Sequence, residues 1–151
     1  MRKTSTEELA RAADRLFYAM RRSRAATVGQ ADGGLSLAQL ALLGPLAETP
    51  DEPGLPVGRL ATAAEVSVST ATRMLKQLET KGVVTRRRSP DDERQVLISL
   101  TGDGVRRLDA VRADLRARQN RALSRFTAEE RRELAAQLHR LADVITDTPP
   151  A

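Results

Sequence analysis

The sequence predicts a mainly α-helical chain with one small antiparallel β-hairpin, and three observations carry that expectation. Apolar residues recur at i, i+3, i+4 and i+7 in most of the stretches between loops. The period drops to two in one place only, in Val83-Val84-Thr85 and then along Val96, Ile98 and Leu100. Between those runs, Ser89-Pro90-Asp91-Asp92-Glu93 has the composition of a turn.

The elements follow in order. Leu9, Ala12, Ala13, Leu16, Phe17 and Met20 predict a helix from about Thr6 to Ala26, with Ser5 and Glu8, or Thr4 and Glu7, at capping-box spacing. Gln30 to Gly34 reads as a loop. Ser36 is a suitable N-cap for a second helix carrying Leu37, Leu40, Ala41, Leu43 and Leu46. Pro45 lies within it, removing a backbone donor, and predicts a kink or an early end. Thr49 to Pro56 holds three prolines and a glycine and reads as loop.

Two short helices come next. One spans about Val57 to Ala64 and buries Leu60. The other is capped by Ser67, buries Ala71, Met74, Leu75 and Leu78, and ends at Lys81-Gly82. After the hairpin, Thr101 caps a long helix with Val105, Leu108, Val111, Leu115, Ala122 and Phe126 on its apolar side. About 25 residues at ~1.5 Å each span nearly 40 Å, longer than a domain of this size needs for itself. Thr127-Ala128-Glu129-Glu130 is a capping box that opens the last helix, whose stripe Leu134, Leu138, Leu141, Ile145 has the spacing of a seam between helices. Asp147 to Ala151 reads as a frayed tail.

The third and fourth helices and the hairpin together form a winged helix-turn-helix. It occupies about residues 36–100 of a single 1–151 domain, flanked by outer helices over about 5–26 and 101–147. The outer helices carry apolar stripes with too few partners in one chain, so they are expected to be dimerisation helices.

Composition removes whole classes of function. Apolar residues make up 40% of the chain, enough for a core. Aromatic residues are only 2%, too few for a single-strand stacking platform. There is no cysteine, which excludes disulfides, thiolate zinc sites and thiol switches, and His139 is the only histidine. No metal or cofactor is implied. An enzyme would need a nucleophile beside a base, or clustered acids. Ser67 and Ser69 have no histidine nearby in sequence, and Asp91-Asp92 sits on a turn. No stretch reaches the ~18 apolar residues of a membrane span, and acids follow the N-terminal Met1-Arg2-Lys3, so a soluble, cytoplasmic protein is expected.

The charge pattern is more pointed. Ser67 to Pro90 contains Arg73, Lys76, Lys81, Arg86, Arg87 and Arg88 against the single acid Glu79, a net +5 that equals the charge of the whole chain. The outer face of the Ser67-capped helix shows Ser69, Thr70, Thr72, Arg73, Lys76, Gln77 and Thr80. Short hydroxyls, including that of Ser67, sit near its start to meet phosphates, with Arg and Gln further on to reach base edges in a major groove. A merely solvated face usually mixes signs, as the rest of this chain does. At the hairpin, alternation puts Arg86 and Arg88 on one face and Arg87 on the other, with Arg94 beyond the acidic turn. Arginines there suit a minor groove. Asp92 is expected to hold an arginine in place as an ion pair. The competing reading of the hairpin is a charged edge that blocks strand pairing.

The run Ser67-Val-Ser-Thr-Ala-Thr-Arg-Met-Leu-Lys-Gln-Leu-Glu-Thr-Lys-Gly82-Val-Val-Thr-Arg86, then Asp92-Glu-Arg94 and Leu100-Thr-Gly-Asp-Gly104, resembles the MarR family of bacterial transcription regulators over essentially the whole chain. The resemblance implies a recognition helix in the major groove, Arg94 as the wing arginine in the minor groove, and a homodimer joined through the first and last two helices. It also implies a small organic effector bound where the dimer helices meet the DNA-binding lobe, for which Tyr18, Arg21 and Arg22 are the candidate linings. Pro45 departs from the pattern. The lack of cysteine excludes the thiol-based peroxide-sensing branch and the single histidine argues against the zinc-sensing branch, which leaves the branch answering small organic ligands or one with no known ligand.

The dimer also follows from the residues themselves. Leu9 and Leu16, with Leu134, Leu138, Leu141 and Ile145, would leave a large exposed apolar patch on a monomer. Two-fold symmetry then sets two recognition helices roughly 34 Å apart and predicts a pseudopalindromic operator. The expected function is thus that of a homodimeric repressor of double-stranded DNA. The alternative is a winged-helix protein-interaction module without direct DNA readout, which would show a neutral or apolar recognition face.

Overall fold

The structure is a computed structural model that describes residues 5–30 and 34–149. Thr4, the loop residues Ala31, Asp32 and Gly33, and the final two residues of the expected tail lie outside the described residues. Six helices and three strands follow in the order α1 (Thr6–Gln30), α2 (Leu37–Glu48), β1 (Leu55–Pro56), α3 (Val57–Ala63), α4 (Val68–Thr80), β2 (Val84–Arg88), β3 (Val96–Leu100), α5 (Gly102–Leu123) and α6 (Ala128–Asp147). The chain divides into two compact units, one ending at Leu115 and one beginning at Arg116, with the division inside α5.

The first unit is built on one aliphatic core. Leu42, Leu43, Leu55, Leu60, Leu75, Leu78, Val83, Ile98, Leu108 and Val111 are fully buried, one or two from each surrounding element. Among the described side chains of α1, Thr27 and Val28 alone reach burial, and the Thr27 hydroxyl donates to the Ser23 carbonyl at 2.9 Å. Upstream, Leu9, Leu16, Phe17, Tyr18 and Met20 stay exposed. The helix starts at a Ser5 cap and runs to Gln30, four residues beyond the expected end.

Two further sequence expectations are corrected. The second helix does not end at Pro45 but continues to Glu48. Its later turns are held by Leu42, Leu43 and Leu46 in the core and its start by a full Ser36–Gln39 capping box, and this burial outweighs one missing backbone donor. The loop from Thr49 also ends sooner than expected. Leu55 and Pro56 form β1, antiparallel to β3, so the sheet has three strands in the order β1-β3-β2. Leu55 enters the core there, and Pro56 needs no ladder donor at a sheet edge.

Helices α3 and α4 end in the same way. After α4, the N–H of Val83 bonds the Leu78 carbonyl at 2.9 Å and that of Gly82 bonds the Glu79 carbonyl at 3.0 Å, with Gly82 at φ 74°. After α3, Val66 bonds Ala61 at 3.1 Å and Glu65 bonds Thr62 at 3.1 Å, but the left-handed position, φ 55°, is held by Glu65. Glycine is the usual occupant of that position because a Cβ there costs about 1–2 kcal/mol. Replacing Glu65 with glycine is therefore expected to stabilise the fold by up to about 1 kcal/mol after glycine's extra unfolded-state entropy is counted. A thermal midpoint raised by about 2–4 °C would match this, and a lowered midpoint would contradict it.

Thr101 joins the hairpin to the helix-turn-helix. Its hydroxyl accepts the Gly104 N–H at 3.0 Å and donates to the Gly82 carbonyl, while its own N–H bonds the Val83 carbonyl at 3.0 Å. Gly104 packs so closely here that a Cβ would run into the Val83 carbonyl oxygen.

The second unit holds the last turns of α5 and all of α6. The expected Thr127–Glu130 capping box is complete, with the Glu130 N–H to the Thr127 hydroxyl at 3.2 Å and the Thr127 N–H to the Glu130 carboxylate at 2.7 Å. No residue of α6 is buried, and Leu134, Leu138, Val144 and Ile145 are exposed.

Candidate nucleic-acid interface

Helix α4 separates its faces cleanly. Ala71, Leu75 and Leu78 are fully buried and fix its inner side in the core. Ser69, Thr72, Arg73, Lys76, Gln77 and Thr80 are exposed, and Thr70 is half-buried. The Ser67 hydroxyl caps the helix by accepting the Thr70 N–H at 3.1 Å, and it donates to the Thr70 hydroxyl at 2.9 Å. Ser67 therefore has no donor left for a phosphate, whereas the Thr70 hydroxyl accepts and keeps its own proton to give. The Thr80 hydroxyl donates to the Lys76 carbonyl at 3.0 Å. Among the described residues, the side chains of Arg73, Lys76 and Gln77 make no hydrogen bond or ion pair. Their donors face solvent on a helix that the core holds rigid.

The hairpin presents its cations differently from the sequence pattern alone. Arg86 is half-buried and turned onto α4. Its Nε lies 3.0 Å from a Glu79 carboxylate oxygen, and its Nη2 lies 3.5 Å from the Thr72 carbonyl. Arg87 donates through Nε and Nη2 to the Pro53 carbonyl at 3.3 and 3.1 Å, where the Ser99 hydroxyl also donates at 3.0 Å. Arg88 donates to the Glu93 carbonyl at 2.9 Å across the wing turn. Arg94 is exposed, and its guanidinium makes no bond among the described residues.

The expected ion pair between Asp92 and an arginine does not form. Asp92 Oδ1 instead accepts the backbone N–H of Arg94 at 3.0 Å, the two-residue reach of an Asx turn. The carboxylate thus shapes the turn from which Arg94 projects and leaves the guanidinium unpaired. The tip is closed by Ser89 N–H to the Gln95 carbonyl at 2.8 Å and Gln95 N–H to the Asp92 carbonyl at 3.0 Å.

Elsewhere the candidate residues stay apart. Tyr18, Arg21 and Arg22 are exposed on α1, and Tyr18 packs edge-on against Phe17 with ring centroids 5.5 Å apart. The shallow groove on that helix is lined by Arg11, Ala12, Arg15, Leu16 and Ala19, so it contains none of the three. Leu9, Leu16, Leu134, Leu138 and Ile145 are exposed and Leu141 is half-buried. Glu79 is the functional candidate that sequence reasoning passed over. It entered only as a subtraction from the charge, although an acid two residues before Lys81-Gly82 lies on the helix end that the returning strand must cross.

Comparison with known proteins bears on this geometry. The MarR family model matches residues 35–96, from just before α2 to the first residue of β3. YdgJ of Bacillus subtilis, an uncharacterized HTH-type transcriptional regulator, is 36% identical over 88 residues, which are 58% of this chain and 54% of that protein. A putative transcriptional regulatory protein for the hcr operon of Thauera aromatica is 32% identical over 108 residues, 72% of this chain and 65% of its own. This chain thus spans between half and two thirds of those two relatives. The HTH-type transcriptional repressor Rv2887 of Mycobacterium tuberculosis is 32% identical over 72% of this chain and 76% of its own length.

Among solved structures, the YusO protein of Bacillus subtilis superposes with a TM-score of 0.73 at 28% identity, covering 92% of this chain and 98% of that one. The Staphylococcus aureus MepR structure bound to an oligodeoxyribonucleotide shares the fold, with a TM-score of 0.64 at 20% identity over 91% of this chain and 97% of that one. A helix with an exposed polar face, followed by a β-wing, is the winged helix-turn-helix architecture that this chain shares with relatives described as HTH-type transcriptional regulators. This chain belongs to the MarR family.

Proposed function

We propose that the protein is a homodimeric, sequence-specific repressor that binds a pseudopalindromic operator in double-stranded DNA in the cytoplasm. The observation that carries this reading is the set of free donors on the outer face of α4, Arg73, Lys76 and Gln77, with Arg94 free on the wing. Ser69, Thr70 and Thr72 give that face short hydroxyls for phosphates, and Arg73 and Gln77 have the reach for base edges in a major groove. Rv2887 is a transcriptional repressor by name, and the MepR structure is bound to an oligodeoxyribonucleotide. The exposed stripes of α1 and α6 supply the apolar surface for pairing two chains.

A small organic effector that prefers one spacing of the two recognition helices lowers operator affinity by its differential affinity for the two states. Among the described residues no helix is long and apolar enough to cross a membrane.

Footprinting the DNA beside the protein's own gene at two salt concentrations tests the reading. A protected inverted repeat whose protection weakens with salt is expected, and uniform protection without a repeat would contradict sequence-specific binding. Arg94→Gln is expected to weaken operator binding several-fold. It should also lower the slope of log affinity against log salt by about 0.9 for each phosphate that is no longer neutralised in a half-site. An unchanged slope and affinity would remove Arg94 from the interface.

A further inference from the structure

The three arginines at the start of the wing all find partners in their own chain, and Arg86 is the one that meets α4. Its Nε is shielded from water and meets the Glu79 carboxylate at an ion-pair distance of 3.0 Å, although not in hydrogen-bond geometry. Its Nη2 lies 3.5 Å from the Thr72 carbonyl. Residues 72 and 79 are two turns apart on α4, about 10 Å along the axis. One guanidinium on β2 therefore meets the recognition helix through a backbone carbonyl and a side-chain carboxylate that come from different turns. At its root, Arg86 sits opposite Ile98 of β3, which is fully buried. A brace with two footholds on the helix and an anchor in the sheet restrains both the distance and the rotation between them.

We propose that Arg86 and Glu79 are a positioning pair for operator binding: they hold the wing at the angle to α4 that lets helix and wing enter their two grooves together. Glu79, the only acid between Ser67 and Pro90, is then required for recognition despite its charge. The inference rests on the DNA-binding reading above and adds a role to it. A recognition constellation tolerates only about 0.5 Å of misplacement, so a swinging wing loses the operator before it loses DNA in general. Arg87 and Arg88, fixed on the Pro53 and Glu93 carbonyls, complete the bracing of β2. The cations left to meet phosphate are Arg73, Lys76, Lys81 and Arg94.

The sign of the Glu79→Gln effect separates this from simple electrostatics. Removing a negative charge from a DNA-facing segment should tighten binding to any sequence. Positioning predicts instead that operator affinity falls by about five- to tenfold, while affinity for unrelated duplex and the salt slope are unchanged. Arg86→Gln should give the same loss, and the double variant should be no worse than either single one.

Tighter operator binding by Glu79→Gln would overturn the proposal. So would a salt slope reduced by about 0.9 per half-site in Arg86→Gln, with specific and non-specific affinity falling alike. Thermal unfolding of each variant accompanies the titrations. If Arg86→Gln fails to fold, Glu79→Gln decides alone, because its side chain is 44% exposed. A wild-type chain that protects no operator would overturn the DNA-binding reading itself. Wild-type protection with wild-type behaviour in both variants would overturn only the pair.

Discussion

Leu138→Glu combined with Leu134→Glu is expected to leave a folded monomer whose operator affinity is lower by about 10²–10⁴-fold. Binding to two half-sites by linked subunits gains that range over one subunit alone. The two leucines are 46% and 42% exposed on a helix that buries nothing in its own chain. A 20-residue helix with so little tertiary support is marginal in water, so its apolar face needs a partner. Glutamate placed in an apolar helix seam costs its desolvation in each of two symmetric copies, so the penalty is doubled in a dimer. None of the fully buried side chains of the first unit belongs to α6, and the DNA-binding lobe should keep its fold. Sedimentation at micromolar concentration, with an operator titration beside it, checks both halves of the expectation. A variant that stays dimeric at wild-type affinity would exclude this stripe from the interface.

The features legible in the sequence were those whose partners lie close along the chain. The Ser36, Ser67 and Thr127 caps each bond an N–H three residues on, within the range that residue identity alone controls. The apolar stripe of α4 likewise fixed which face would be buried. What stayed hidden depended on distant partners. Two residues, Leu55 and Pro56, become a strand only because β3 arrives some forty residues later. Pro45 sits inside a helix because Leu42, Leu43 and Leu46 are all wanted by the core.

The candidate interface divides along the same line. The outward direction of Arg73, Lys76 and Gln77 follows from helical period, so it could be read in advance. Alternation along β2 told which side each arginine leaves by, but not what it meets. The Thr72, Pro53 and Glu93 carbonyls that receive Arg86, Arg87 and Arg88 lie 14, 34 and 5 residues away. Charge counting treated the run as one cationic surface. The fold treats it as three attachments and leaves Arg94 as the free wing cation. Asp92 shows the local rule prevailing over the long-range guess, because a carboxylate two residues before an N–H reaches it sooner than any guanidinium.

Arg73→Ala should separate base reading from general attraction to DNA. Arg73 is exposed at the centre of the outer face of α4, one position from Thr72 and Met74, where a helix in a major groove comes nearest the base edges. A bidentate arginine–guanine pair contributes about 1–3 kcal/mol of discrimination, so operator affinity is expected to fall about 10- to 100-fold. Alanine is the better helix former, and Arg73 makes no bond among the described residues, so the fold should be unaffected or slightly firmer. Affinity for unrelated duplex should change little, and the operator should tolerate substitution at one base pair in each half-site that the wild type rejects. If Arg73 instead meets only phosphate, the loss spreads evenly over all sequences and the salt slope drops by about 0.9 per half-site. Full affinity with full discrimination would mean that α4 does not enter the groove by this face.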